Sequence, residues 1–304
     1  MLRSRLAALS LAFGLLASPA AAAPPGFAFL EVPAGARAAA LGGAYVTLAD
    51  GVDGAFWNPA GLAGVRGTQL TGSHTEFVQS LKHDQFAVAG QLLGGGLAGS
   101  VRAMYSQPIE ERDDLGNLTG SFGAHDLEFQ LGYGWQFAPG TRFGFAAQAV
   151  RERIDTEAAT TWSTALGATW QPQSRKSLRL GASAEHLGPA AHYSVGGVRG
   201  GAVPLPASLQ AGGAWSTALG RGLDLTAGLE TRTTVGRQAV AGVGMELTSN
   251  VGAVLRAGFR EGDDLTNFSA GVGYRVGTFT VDYAFVPAKL DLGDTHRFSF
   301  AAQF

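Results

Sequence analysis

The sequence predicts an all-β fold: a closed antiparallel barrel of fourteen membrane-crossing strands, with an N-terminal plug of short helices and turns in its lumen. Three observations predict it. From residue 67 onward apolar and polar residues alternate, as in strands with one apolar and one polar face. Most of these segments have about 9–12 residues, the length of a tilted strand that crosses a bilayer. Short and long connections alternate between them, as in outer-membrane barrels.

Composition narrows the classes of function. The chain has 304 residues, a net charge of -2, 15% charged residues and no cysteine. Without cysteine the sequence has no disulfide framework and no thiolate metal site. The near-zero charge offers no basic surface for nucleic acid, so none is expected as a partner. A mean hydropathy of +0.10, without a long apolar run after the N-terminus, is typical of strands that face lipid at every second position.

The N-terminus predicts the compartment. Arg3 and Arg5 precede the apolar run Leu6–Leu16, and small residues follow up to a cleavage site after Ala22. This is the pattern of a secretory signal peptide, which we assign to residues 1–22. Export of a cysteine-free barrel predicts the bacterial outer membrane, with both termini of the mature barrel on the periplasmic side.

Residues 23–66 form the predicted plug, because they are apolar and rich in glycine but do not alternate. The lumen of fourteen strands is wider than wall side chains can fill, since about eight strands is the self-filling size. We therefore expect this segment to fold into the lumen. Within FWNPAGLA, Asn58 suits a helix N-cap and Pro59 the first helical position.

The barrel domain is assigned to residues 67–304. In 126–137, for example, Leu127, Phe129 and Leu131 fall on one face, and Glu128 and Gln130 on the other. The predicted strands are 67–77, 83–93, 96–106, 125–137, 141–151, 160–171, 177–186, 205–216, 222–231, 237–248, 251–260, 265–276, 279–286 and 295–304. A soluble sandwich also alternates, but its solvent face would be rich in lysine, and this polar face is not.

Charged residues on the polar face would point into the lumen. The candidates are Arg102, Glu128, Arg142, Glu185, Arg256, Arg275, Asp282 and Arg297. In a low-dielectric interior they should pair with one another or bind the plug. The functional alternative is a polar wall that orients a ligand carboxylate through arginine.

Catalytic chemistry has little support in the sequence. Outward-pointing His296 has no serine at a matching position for a lipid hydrolase, and no nucleophile motif occurs. The acidic segment 110–117 lacks the spaced carboxylates of a calcium loop. We therefore expect no catalytic residues, no metal and no cofactor.

Both ends of the chain resemble a known family. Segments 33–44, 49–50 and 57–63, with Asp282–Phe285 and 292–299, are similar to the PorV/PorQ family, within the FadL-like group of outer-membrane barrels. The resemblance implies a fourteen-stranded barrel with a structural or gating N-terminal hatch. Its motif positions here are Arg37, Gly42, Gly43, Asp50, Trp57, Asn58, Pro59 and Gly61. The terminal aromatic Phe304 resembles the signal for the barrel-assembly machinery.

The resemblance implies two different functions. FadL-like members pass hydrophobic small molecules across the outer membrane, whereas PorV-type members bind cargo proteins of type IX secretion. A porin-like protein without a defined cargo is a third alternative. The short loops after the first, ninth and eleventh strands limit the surface for a folded partner, which favours the channel. Expected partners are outer-membrane lipid, the barrel-assembly machinery, and a hydrophobic ligand or a secreted cargo protein.

Overall fold

The computed structural model describes residues 25–77, 81–289 and 293–304, so the predicted signal peptide lies outside the described residues. Within them are eighteen strands. These are β1 Thr68–Glu76, β2 Lys82–Leu92, β3 Gly95–Tyr105, β4 Ile109–Arg112, β5 Leu118–Phe122, β6 Ala124–Ala138, β7 Thr141–Ile154, β8 Glu157–Trp170, β9 Leu178–Leu187, β10 Ala191–Val195, β11 Val198–Val203, β12 Ser208–Gly220, β13 Leu223–Thr234, β14 Val240–Ser249, β15 Ala253–Glu261, β16 Phe268–Val276, β17 Phe279–Pro287 and β18 Asp294–Gln303.

Fourteen of these strands form one closed antiparallel barrel, which confirms the predicted fold class. Strand β1 closes it against β18, in a register that runs from Gln69 opposite Gln303 to Glu76 opposite His296. Each barrel strand overlaps a predicted segment. The four remaining strands form two separate hairpins, β4–β5 and β10–β11. They occupy the two longest predicted loops, for which the sequence predicts no strands.

The barrel has two different ends. At the short-turn end, tight links such as Pro139–Gly140 join the strands, and Thr68 and Phe304 exchange backbone hydrogen bonds. At the opposite, long-loop end lie the β4–β5 and β10–β11 hairpins and the link between β17 and β18. This alternation is the expected architecture of an outer-membrane barrel.

The plug consists of short helices and turns inside the barrel. Its α-helices are Ala36–Ala40 and Gly54–Trp57, and its 3-10 helices are Ala28–Glu31, Gly51–Asp53 and Pro59–Gly64. The sequence also suggests a helix over 44–49, but these residues form turns. Gly42 and Gly43 adopt positive φ angles there, which end the first helix and redirect the chain.

The plug runs the whole length of the lumen. The Gly26 backbone NH donates to the carbonyl of Pro204, just after β11 at the long-loop end. Gly67, by contrast, lies against the carbonyl of Phe304 at the short-turn end. The first and last strands of the barrel domain therefore meet at one end, whereas the described chain begins at the other, at Pro25. The periplasmic position of the termini stays a prediction. The sequence locates the start of β1 but does not show how far the preceding segment extends.

The barrel exterior exposes a band of large apolar side chains. Examples are Phe129, Leu131, Phe145, Trp162 and Leu166, each at least half exposed. Their inward neighbours, such as Glu128, are buried, so the predicted alternation places each face as expected. Among the described residues, no helix is long and apolar enough to cross a bilayer.

Candidate functional site: a plugged lumen with an apolar outer cluster

Asn58 and Pro59 hold the base of the plug. The Asn58 side chain accepts a hydrogen bond from the backbone NH of Ala60 at 3.1 Å, and its amide donates to the carbonyl of Val46 at 3.0 Å. Pro59 occupies the first position of the 3-10 helix that follows, as predicted. Asn58 thus caps this helix and joins it to an earlier turn of the plug.

The barrel wall meets the plug backbone directly, because glycines replace side chains on its inner face. A methyl group at Gly144 would collide with the backbone of Pro59, and one at Gly258 with Gly42. The same holds at Gly96, Gly134, Gly242 and Gly244. Inside the plug, a methyl at Gly61 would collide with the carbonyl of Ala49. Plug and wall are therefore packed at backbone distance.

An ion network fixes the middle of the plug to the wall. The Arg37 guanidinium donates two hydrogen bonds of 2.8 Å to the carboxylate of Glu246. Arg256 donates to the same carboxylate at 2.6 Å and to Asp282 at 2.7 Å. Because this network is largely buried, each charge depends on its partners for stabilisation.

Aromatic and acidic groups surround this network within the plug. The Tyr45 hydroxyl donates to Asp53 at 2.6 Å, and the Tyr45 ring packs edge-on against Trp57 at 5.5 Å. The Trp57 indole NH donates to the carbonyl of Ala34 at 3.0 Å. Burial raises the pKa of Asp53, although the Tyr45 hydrogen bond and the nearby Arg37 charge oppose this. Burial likewise raises the pKa of Tyr45.

At the short-turn end, Asp50 links the plug to two wall arginines. Its carboxylate lies 2.8 Å from an Arg142 nitrogen and 3.8 Å from an Arg179 nitrogen. Asp50 also accepts from the backbone NH of Gly51. These side chains are partly exposed, so this contact is weaker than the buried network around Glu246.

At the long-loop end, the plug's first residues fill the mouth of the lumen with an apolar cluster. Phe27, Phe29 and Leu30 are buried there. Around them lie Met104, Val150 and Ala159 of the wall and Ala191 and Leu205 of the loop region, with Tyr193, Val203, Phe77 and Leu81 packed at the edge. We call this set the outer apolar cluster.

A layer of buried polar groups lies against the outer apolar cluster. Arg102 donates to the carbonyl of Leu30 at 3.0 Å and has its Nε 3.3 Å from Glu128. His186 Nε2 lies 3.7 Å from the other Glu128 oxygen. Three atoms here, Arg102 Nε, Glu128 Oε1 and His186 Nε2, have no hydrogen-bond partner among the described residues. We call these three side chains the polar triad.

A β-bulge places His186 in this layer. Glu185 and His186 are consecutive yet both buried, and His186 has a φ of 55°. The pairing of β8 with β9 shifts at this point, between Thr164 and Leu166. A bulge adds a residue and re-aims side chains, which explains why two neighbours point inward.

The predicted site residues separate into groups. Arg256 and Asp282 belong to the network of Arg37, and Arg102 and Glu128 to the polar triad. Arg142 binds Asp50, and Glu185 accepts from Ser183 at 3.1 Å. Arg297 donates to the carbonyl of Pro33 at 3.0 Å. Gly43 packs against the Arg260 guanidinium.

Two predicted residues lie apart from these groups. Arg275 is exposed near the short-turn end and forms no ion pair with the described residues. Phe304 is exposed beside Phe279, at a ring distance of 6.2 Å. Its role as an assembly signal stays a prediction. Alternation of apolar and polar residues predicts neither the position of the plug residues in the outer apolar cluster nor the inward direction of the His186 side chain.

Free space in the described lumen is small. A cavity of about 40 Å³ lies between the plug and β1, β2 and β18, lined among others by Arg37, Tyr45 and Gln85. A second cavity of about 20 Å³ lies beside Arg260 and Arg297. The larger one has room for roughly three water molecules. Neither of these two cavities has room for an organic ligand, and we call this plugged arrangement the closed conformation.

A model of an uncharacterised protein family (UPF0164) matches residues 8–135, less than half of the chain. No curated protein matches this chain. The resemblance to the PorV/PorQ family is supported by none of these comparisons and stays a hypothesis.

Comparison with solved structures shows the fold. The chain is similar to the CymD monoaromatic hydrocarbon channel, with a TM-score of 0.59 and 15% identity over 89% of this chain and 97% of that one. The Pseudomonas putida toluene transporter TodX gives 0.57 and 14%, over 88% and 96%. A Pseudomonas aeruginosa FadL homologue gives 0.53 and 12%, over 89% and 98%. These are channels and transporters rather than enzymes, and the barrel fold matches that of outer-membrane proteins.

Proposed function

We propose that this chain is a passive channel of the bacterial outer membrane for hydrophobic small molecules. The observation that carries the proposal is the outer apolar cluster. Besides its apolar exterior, the barrel has a second apolar region, at the long-loop mouth of the lumen. Two of the similar structures are a monoaromatic hydrocarbon channel and a toluene transporter, which favours the same ligand class.

In the closed conformation the chain itself occupies this site. Binding pockets for small molecules have volumes of several hundred cubic ångströms, far more than the cavities beside the plug. Phe27, Phe29 and Leu30 fill the space that apolar groups of a ligand would need. We infer that an entering ligand displaces the segment Phe27–Glu31 from the cluster.

A way out of the site lies close to it. The base of the plug packs against the wall at backbone distance, which hinders passage along the lumen. Pairing between β8 and β9, however, is interrupted beside the cluster, at Thr164 and Leu166. A gap opening there would connect the cluster with the surrounding lipid.

A disulfide that fixes the N-terminal segment tests the proposal. An ideal Cβ on Gly26 would lie 3.8 Å from the Cβ of Val203, the mean separation in disulfides. The natural chain has no cysteine. We would make Gly26→Cys/Val203→Cys, reconstitute it in vesicles and measure the uptake of toluene before and after reduction.

We expect the oxidised protein to take up toluene no faster than protein-free vesicles, and the reduced protein to match the natural chain. Gly26→Cys alone, carried through the same oxidation, is the control and should stay active. Equal uptake by the oxidised and reduced double variant would show that the segment does not gate the site. A natural chain no faster than protein-free vesicles would refute the channel itself.

The remaining expectations belong to this proposal. Outer-membrane lipid would surround the apolar exterior, and the barrel-assembly machinery would recognise the strand that ends at Phe304. Secretion of cargo proteins has no support in the compared structures, and nothing among the described residues of the long-loop end favours it.

A further inference from the structure

The polar triad is an unusual neighbour for an apolar site. Arg102, Glu128 and His186 are each at least 95% buried, and each has an atom without a hydrogen-bond partner among the described residues. A buried polar atom without a partner costs free energy, so such atoms are rare in folded proteins. The three side chains lie at ion-pair distances of 3.3 and 3.7 Å from one another, but these contacts lack hydrogen-bond geometry. At the edge of a proposed ligand site, they indicate a place for a polar group that the closed conformation lacks.

The present occupant shows one part of that group's chemistry. The Leu30 carbonyl accepts a hydrogen bond from Arg102 at 3.0 Å. If a ligand displaces Phe27–Glu31, this carbonyl leaves with the segment, and Arg102 loses its acceptor. Glu128 still lies beside the guanidinium, but the Arg102 NH that had bound Leu30 would be buried without an acceptor, which is costly unless the ligand supplies one.

The surrounding charges argue against a carboxylate as this acceptor. Glu128, Glu185 and Glu230 carry three formal negative charges, and Arg102, Arg232 and Arg260 already balance them with three positive charges. A ligand anion would join buried carboxylates in a low dielectric, where like charges repel strongly. A neutral group avoids this repulsion.

A hydroxyl group meets both requirements. It has one donor and two acceptor positions, so it can accept from Arg102 and donate to the unpartnered Glu128 Oε1. A hydrocarbon can do neither and would leave both atoms unsatisfied. We propose that the polar triad is a subsite for the hydroxyl group of a neutral amphipathic ligand, such as a phenol or an alcohol, whose apolar part takes the place of the Phe27, Phe29 and Leu30 side chains. This inference rests on the proposed channel function and specifies its substrate class.

Three ligands with the same ring separate the alternatives. 4-Methylphenol carries a hydroxyl, toluene carries no polar group, and 4-methylbenzoate carries a carboxylate. We would measure their binding to the detergent-solubilised natural chain by calorimetry. The gain of one net hydrogen bond predicts that 4-methylphenol binds about tenfold more tightly than toluene. 4-Methylbenzoate should bind more weakly than 4-methylphenol, since it brings a charge to the carboxylates.

Two variants assign the preference to the triad. Arg102→Met should bind 4-methylphenol no better than toluene, so the ratio of the two affinities, which does not depend on how firmly the segment Phe27–Glu31 is held, should fall to about one. His186→Asn keeps a residue type that tolerates the positive φ, and it should reduce the preference without disturbing the bulge. Arg199→Gln, in the exposed β10–β11 hairpin, removes a charge outside the cluster and should retain the full preference.

The outcomes separate this inference from the function on which it rests. Equal binding of 4-methylphenol and toluene would overturn the hydroxyl subsite and leave the channel intact. If 4-methylbenzoate bound most tightly of the three, the subsite would favour a carboxylate rather than a hydroxyl group, and this too would overturn the inference. Failure of all three to bind, together with absent toluene uptake by the natural chain, would refute the channel.

Discussion

Asn58 shows how much one residue can determine in the plug. It is fully buried, and it caps the 3-10 helix Pro59–Gly64 while its amide reaches the carbonyl of Val46. The sequence predicts the cap, because asparagine before proline is a typical helix start. The contact with Val46 could not be predicted, since it depends on the path of the whole plug.

We expect Asn58→Ala to destabilise the plug by about 1–3 kcal/mol, because Ala60 and Val46 lose their partners in a buried site. Hydrogen exchange of residues 44–66, followed by mass spectrometry, would measure the loss of protection. Asn250→Ala, in an exposed turn, is the matched control and should leave this segment unchanged. Equal protection in both variants would contradict the structural role given to Asn58.

Protonation of Asp53 gives the plug a pH dependence. Burial raises the pKa of Asp53 above its ordinary value of 3.8, so the folded plug binds the proton more tightly than the unfolded segment does. The contribution of Asp53 to the stability of the folded plug is therefore largest below pH 3.8 and falls as the pH rises through the raised pKa. Thereafter it stays constant.

The measurement compares the natural chain with Asp53→Asn, which cannot titrate. The difference in plug protection between them, from hydrogen exchange corrected for its intrinsic pH dependence, should grow in favour of Asp53→Asn as the pH rises above about 4. A difference that stays the same across this range, or has the opposite sign, would show that Asp53 is not penalised by burial.

Among the lumen charges, alternation predicts which residues point inward but not which of them meet. Arg256 and Asp282 pair within 2.7 Å, whereas Arg275, on the same predicted face, lies at the exposed end of β16. Depth in the barrel decides between these outcomes, and depth depends on strand tilt and register. Alternation places His186 on the wrong face, because a β-bulge that the sequence does not indicate shifts the strand by one residue at this point.

At the scale of elements, the Glu246 carboxylate joins the plug helix Ala36–Ala40 to strands β14 and β15. It accepts from Arg37 on the plug and from Arg256 on the wall. We expect Glu246→Gln to cost about 3–5 kcal/mol, the penalty of leaving buried charges without a partner. Thermal unfolding of the reconstituted barrel and hydrogen exchange of the plug helix would record it.

Glu110→Gln gives a matched control for that prediction. Its carboxylate pairs with Arg112 at 2.6 Å, but both side chains are more than half exposed in the β4–β5 hairpin. An exposed pair contributes little, so this variant should unfold like the natural chain. Similar losses in both variants would mean that burial does not set the strength of the Glu246 network.

The elements also differ in how far the sequence predicts them. Barrel strands such as β7 and β18 lie within a few residues of their predicted bounds, because two-residue alternation is a local property. The β10–β11 hairpin and the course of Gly26–Glu31 were not predicted. Their positions depend on contacts with distant residues, such as Gly26 with Pro204, that leave no period in the sequence.

At the scale of the whole molecule, the apolar exterior predicts a lipid-facing barrel. Leu131 and Leu118 are similarly exposed, at 58% and 61%, but Leu131 lies halfway along β6 and Leu118 in the β4–β5 hairpin. An arginine near the bilayer midplane costs about 2–4 kcal/mol, so Leu131→Arg should destabilise the inserted barrel. Leu118→Arg should not.

Folding titrations in lipid vesicles would measure both variants. In a water-soluble barrel the two substitutions would have similar small effects, because both side chains would face solvent. That outcome would contradict the membrane location.

The glycine-lined inner wall limits which changes the plug and the wall can accept separately. Wherever a wall glycine touches the plug backbone, as Gly144 does at Pro59 and Gly258 at Gly42, any other residue would need a different plug path. A substitution at such a contact in the wall therefore requires a compensating change in the plug, and the reverse also holds. A plug designed with a different backbone path would meet a wall that does not fit it. We therefore expect that replacing residues 25–66 alone with a segment of different backbone path would give a barrel that assembles poorly.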